Sequence, residues 1–164
     1  MTQAARKARP ALKIDVLVES DLWNESEATP IARRAVAEAA AALSTPGAEL
    51  AIVLSDDSAI RLLNRAWRGI DRATNVLSFP AARAGGEPPL IGDIVLGYQT
   101  IAREARAQRK PFADHVAHLA VHGFLHLLGY DHEHDADAEV MERVERDVLR
   151  RLAIPDPYRR RARI

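Results

Sequence analysis

No cysteine occurs among the 164 residues. That excludes disulfides, a thiolate nucleophile and thiolate zinc ligands, so any metal site must be built from histidine and carboxylate. Net charge is equally absent, with 23 Lys+Arg balanced by 23 Asp+Glu. A polyanionic partner would therefore have to be met by local clusters of Arg, not by an overall field. No apolar run approaches the length of a membrane span. The basic N-terminus, MTQAARKARPALKIDVLVES, has no apolar core before a small-residue cleavage site, so it does not read as a secretory signal. Arg6, Lys7 and Arg9 leave a short mitochondrial-type presequence as the alternative, and a cytoplasmic location is the expectation. With 48% hydrophobic and 28% charged residues, the chain has an ordinary globular composition and a length that suits one domain with a real core.

Local patterns give the order of elements. Leu12 to Val18 alternates apolar and polar and reads as a strand. Thr29-Pro30 offers a cap and a first-turn proline for a helix with the stripe Ile31, Ala35, Val36, Ala39 and Leu43, ended by Pro46-Gly47. Glu49 to Leu54 is a second strand, and Ser55 to Ser58 supply caps for a helix with Ile60, Leu63 and Trp67 on its apolar side. Asn75 to Phe79 is a short strand stopped by Pro80, Arg83 to Pro89 a loop, and Ile91 to Tyr98 a fourth strand. Helices are expected at Gln99–Gln108, from Pro111 to Leu128, and from the acidic turn at Asp135, Asp137 and Glu139 to about Leu152. The closing PDPYRRRARI is expected to be loose. The expectation is one α+β domain over residues 1–164, with tails at 1–11 and 159–164 and a small mixed four-stranded sheet packed by helices. The first two units read as βαβ crossovers with parallel strands, and Asn75–Phe79 as an antiparallel edge.

The chemistry lies in VHGFLHLLGYDHEHD. His122 and His126 are four residues apart and share one helix face. Gly129 can end that helix in a left-handed turn, which brings His132 back towards the pair. Three imidazoles and an open fourth position have the form of a catalytic zinc site. His132 is preferred to His134 as third ligand because it directly follows the turn Gly129-Tyr130-Asp131. His115 and His118 lie on the same stripe but one to two turns away, where packing or hydrogen bonding is the plainer role and a contact behind the metal ligands or with substrate the alternative. The spacing is that of the metzincin proteases, H-E-x-x-H-x-x-G-x-x-H, except that Gly123 stands where their general base belongs. Without that carboxylate a metal-bound water lacks its proton acceptor, and peptide hydrolysis is disfavoured.

The run His122-Gly123-Phe124-Leu125-His126-Leu127-Leu128-Gly129-Tyr130-Asp131-His132 resembles the motif of the bacterial YbeY-type endoribonucleases. Leu63 to Arg68, Thr74 to Pro80 and Gly92-Asp93-Ile94 resemble further segments of that family, and the resemblance spans roughly residues 12–158. It implies an α+β fold with a zincin-like His helix and one zinc held by His122, His126 and His132. It also implies a catalytic role for His122 and for Arg68, which is expected to contact the RNA phosphate. The implied activity is single-strand endoribonuclease action in maturing the 3′ end of small-subunit rRNA and in ribosome quality control. RNA, the ribosome and its assembly factors are then the partners.

The residues carry their own chemistry beside this resemblance. Arg68 supplies a planar charged fork suited to phosphate. Arg61, Arg65 and Arg72 follow its spacing and read either as a basic track for RNA or as a solvated helix face. Thr74, Asn75 and Ser78 could bind substrate or satisfy the loop backbone. Asp93 reads as a buried polar residue, and Asp131 either as an orienter of an imidazole or as a turn residue. If Asp131 or His134 closed the fourth position, the site would be structural, and the chain a metal-stabilised ribosome-assembly factor with little turnover.

Overall fold

A computed structural model describes residues 12–81 and 89–159. Residues 1–11, 82–88 and 160–164 lie outside them, and with them the expected N-terminal tail and all but Pro89 of the expected loop Arg83 to Pro89. The described elements are β1 (Lys13–Val18), α1 (Glu25–Ala42), β2 (Glu49–Ser55), α2 (Asp57–Arg68), β3 (Val76–Pro80), β4 (Leu90–Gly97), α3 (Tyr98–Ala107), α4 (Phe112–Leu127) and α5 (Asp135–Arg151). The four strands lie in the order β1-β2-β4-β3. β2 runs parallel to β1 and to β4, and β3 is the antiparallel edge. This is the expected α+β architecture.

Alternation of side chains decides what covers each face. Leu50, Ile52 and Leu54 of β2 and Ile94 and Leu96 of β4 enter the main core with α1, α4 and α5. α1 offers that core a stripe of Ala28, Ala32, Ala35, Val36 and Ala39, small enough for α1 to lie close to its neighbours. The opposite face carries a smaller cluster, in which Ile60 of α2 packs on Leu77 and Val95. α2 and α4 thus sit on opposite faces of the sheet. Among the described residues no helix is long and apolar enough to cross a membrane.

Three local expectations are corrected. α1 begins at Glu25, where the Asn24 carbonyl accepts from Glu27 and Ala28, and not at Pro30. Pro30 lies inside the first turns, where only one intrahelical bond near the helix end is lost, and the Thr29 hydroxyl is buried without a partner instead of capping. Trp67 is not on the apolar side of α2: it is 72% exposed, its ring meeting Phe79 edge-on at 5.9 Å. In the last turn of α2 the ring therefore meets the edge strand of the sheet, at Phe79. Asp93 is exposed, because the unevenly covered face of β4 leaves it open to solvent.

Candidate metal centre

α4 places two of the histidines. It leaves the helical path after Leu128, at Gly129 with φ +96°, and the Tyr130 amide returns to the Leu125 carbonyl at 3.0 Å. The glycine carries a backbone angle that a residue with a Cβ resists. The chain then doubles back over the helix end, and Asp131 Oδ1 accepts from the amides of His132 at 2.6 Å and Glu133 at 3.2 Å. Asp131 is therefore a turn residue, and its carboxylate lies 3.8 Å from His132 Nδ1.

His122, His126 and His132 each bring one ring nitrogen to within 4.8 Å of the others. His134 is not in this group; it stands at the start of α5, its carbonyl accepting from Ala138. The tautomers follow from the partners. His126 Nδ1 faces the Tyr130 carbonyl at 3.0 Å, which can only accept, so this nitrogen carries the proton. His122 Nδ1 donates to Glu145 Oε1 at 2.5 Å. In the neutral rings the two Nε2 atoms are therefore bare, and they face each other at 3.0 Å. Two lone pairs so placed repel unless a cation lies between them. Burial, and then the neighbouring His122 and His132, lower the pKa of His126, which favours the neutral, ligating form. The donor set thus fits a divalent metal of zinc type, with three imidazoles and an exposed third ligand at its rim.

Behind this cluster lies a residue that the motif does not contain. Glu145 of α5 is fully buried and accepts three hydrogen bonds. The donors are His122 Nδ1, His118 Nε2 at 3.0 Å and the Tyr158 hydroxyl. Burial works against its charge, yet the bonds from His118 and His122, with Tyr158, outweigh it and hold the carboxyl at about 2. Burial and the Glu145 contact raise the Tyr158 pKa. Tyr158 also meets the His118 ring edge-on at 5.8 Å, so the chain as far as Tyr158 is fastened and not loose. A signal for Glu145 existed in the sequence: it shares the stripe of Met141, Val148 and Leu149, a carboxylate in an apolar row. His115 pairs with Glu104 at 3.0 Å, which also accepts from Asn75 Nδ2 at 2.9 Å.

Gly123 faces the sheet. A Cβ there would lie 2.8 Å from Ile94 Cγ2, 3.1 Å from Val76 Cγ2 and 3.1 Å from Ser78 Oγ. The position that bears a general base in the protease pattern therefore has no room for a carboxylate. Ser78 itself donates to the Gly123 carbonyl at 2.8 Å, so its hydroxyl ties β3 to the His helix.

The four arginines do not form one row. α2 ends at Gly69 with φ +70°, and Arg72 lies beyond it in a loop held by Asn64 Nδ2 on the Arg72 carbonyl at 2.9 Å. Arg61, Arg65 and Arg72 still line one shallow depression, together with Asp57, Asp71 and Arg103. Arg61 is engaged there by Asp71, at 2.9 and 3.3 Å. Arg68 is exposed next to Trp67 and outside that depression.

Known proteins are similar to this chain in sequence and in fold. A solution structure of TM1509 from Thermotoga maritima aligns with a TM-score of 0.56 at 24% identity, covering 90% of this chain and 99% of that one, which supports the fold. The protein named Endoribonuclease YbeY of Rhodopseudomonas palustris (strain BisB18) is 54% identical over 153 residues, 88% of this chain and 90% of its own length. Its namesake in Bradyrhizobium diazoefficiens is 52% identical over 153 residues, 88% and 84% of the two chains. The family model described as Endoribonuclease YbeY matches residues 15–153, and on that span and those identities the chain belongs to the YbeY family.

Proposed function

We propose that the chain is a zinc-dependent endoribonuclease for single-stranded RNA, acting in the cytoplasm on the 3′ end of small-subunit rRNA and in ribosome quality control. One zinc per chain is held by His122, His126 and His132. The observation that carries the reading is the pair of bare Nε2 atoms facing each other at 3.0 Å, each fixed by a partner on its far nitrogen. Membership of a family described as an endoribonuclease supports RNA as the substrate.

Zinc, when bound, supplies a Lewis acid and lowers the pKa of a bound water. The chain's own residues supply the rest. Arg68 binds a phosphate of the substrate through its planar fork. Trp67, exposed beside it, offers a face on which an unpaired base stacks, which favours single strands over duplex. Arg65 and Arg72 add charge along the backbone path, while Arg61 is shared with Asp71. Ser78 and Gly123 hold the His helix against β3.

The test is cleavage of single-stranded RNA by purified protein, with His122→Ala and Arg68→Ala prepared alongside to exclude a contaminating nuclease. Arg68→Ala should keep its zinc and its melting temperature. Its cleavage rate should fall at least about tenfold, since one charge-assisted contact to phosphate is worth roughly 1.5–3 kcal/mol. Cleavage at the wild-type rate removes Arg68 from the phosphate site. Wild-type protein that binds RNA and zinc but never cleaves would make it an assembly factor.

A further inference from the structure

Resting on the zinc reading above, we propose that Glu145 is the positioning residue of the metal centre and that Tyr158 is its clamp. Glu145 holds His122 in the tautomer and ring orientation that leave Nε2 for the metal, and Tyr158 ties the C-terminal segment to the same carboxylate.

The geometry supports this in three ways. First, Glu145 Oε1 accepts a hydrogen bond from His122 Nδ1 at 2.5 Å, so the neutral ring cannot move its proton to Nε2 without giving up that bond. A carboxylate on the far nitrogen of a ligating imidazole fixes its orientation and raises its basicity. Second, Oε2 is held by His118 and by Tyr158, so the carboxylate itself has little freedom to turn. Third, the four residues that meet there, His118, His122, Glu145 and Tyr158, come from α4, α5 and the segment after α5, so the far side of His122 is assembled only when these pack together.

His118, His122 and Glu145 also offer ligand atoms within 4.8 Å of one another, which raises the option of a second cation. Two ligands of a tetrahedral zinc at the usual bond lengths stand about 3.3 Å apart. The 2.5 Å between His122 Nδ1 and Glu145 Oε1 is a hydrogen-bond distance and too short for two ligands of one ion. The 3.0 Å between the Nε2 atoms of His122 and His126 is close to what a shared ion requires.

Zinc affinity measured by competition with a chromophoric chelator at fixed pH tests the proposal. Melting of the metal-free proteins and the ¹⁵N shifts of the histidine rings are recorded with it. Wild type should bind one zinc, and metal-free His122 should be protonated on Nδ1. Glu145→Gln should bind zinc about 10–100-fold more weakly, with the His122 ring shifted to a mixture of tautomers. Tyr158→Phe keeps the ring packing and should weaken zinc by about threefold or more. That variant decides the matter if Glu145→Gln fails to fold. Unchanged affinity and tautomer in the folded variant overturn the positioning role. A second zinc in the wild type, lost in Glu145→Gln, overturns it in favour of a second cation site. Wild type that binds no zinc overturns the metal centre itself, a result distinct from either.

Discussion

Gly123→Ala isolates the contact between the His helix and the sheet. In a helix interior this exchange should stabilise by about 1 kcal/mol, because alanine loses less backbone entropy than glycine. Here the new methyl would fall 2.8 Å from Ile94 Cγ2 and 3.1 Å from Val76 Cγ2. Ile94 is fully buried and cannot swing away. Forcing a methyl into a packed core costs roughly 1–3 kcal/mol. The same methyl crowds Ser78 Oγ at 3.1 Å, and losing its bond to the Gly123 carbonyl costs about 0.5–1.5 kcal/mol more. The net expectation is destabilisation of about 1–3 kcal/mol, or a melting temperature lowered by roughly 2–12 °C for a chain of this size. Calorimetry of the metal-free protein reads this without interference from zinc. Introducing Ile94→Ala first removes the nearest atom, so Gly123→Ala should cost less in that background. A Gly123→Ala protein that melts at or above wild type would refute the steric account, and with it the reason given for the missing protease base.

Three further outcomes are expected. His126→Ala should lose stoichiometric zinc on elemental analysis, and full metal content in that variant would remove the site as drawn. Single-stranded, uncleaved RNA should quench emission from exposed Trp67 and not from Trp23, which is 5% exposed. Trp67→Ala should abolish the quench and weaken binding by about 1–3 kcal/mol, and a quench that persists would assign the RNA contact elsewhere. Burial lowers the His115 pKa, against the smaller opposing pull of Glu104. Its neutral form is favoured in the fold, so its contribution to stability is full above the unfolded value near 6.5 and lost as pH falls below it. The stability advantage of wild type over His115→Gln should shrink from pH 7.5 to 5.5 in denaturant titrations, and an advantage that grows on acidification would contradict this.

The legible parts of the chain were those written in short-range spacing. The four-residue interval of His122 and His126, and Gly129 three residues on, describe one helix face and its end, so the cluster could be drawn before the fold was known. The alternation in β1 and the short, proline-ended β3 were legible in the same way. What escaped depends on distant chain. Glu145 is one of many acidic residues in α5, and only its packing against α4 gives it His118 and His122 as partners. Thr29-Pro30 has the chemistry of a helix start, but Asn24 to Glu27 has it too, and packing of Ala28 and Ala32 in the core favours the earlier one. Trp67 keeps the helical interval of Ile60 and Leu63, yet periodicity does not say where the sheet beneath a helix runs out.

β3 is five residues wide in register and, among the described residues, pairs only with β4. Alternate side chains send Ser78 to the His helix on one face and Phe79 to Trp67 on the other. On the proposed reading, the metal and the arginine therefore straddle the rim of the sheet. A strand of RNA that reaches both must fold over the open edge of β3 like a strap over a rail.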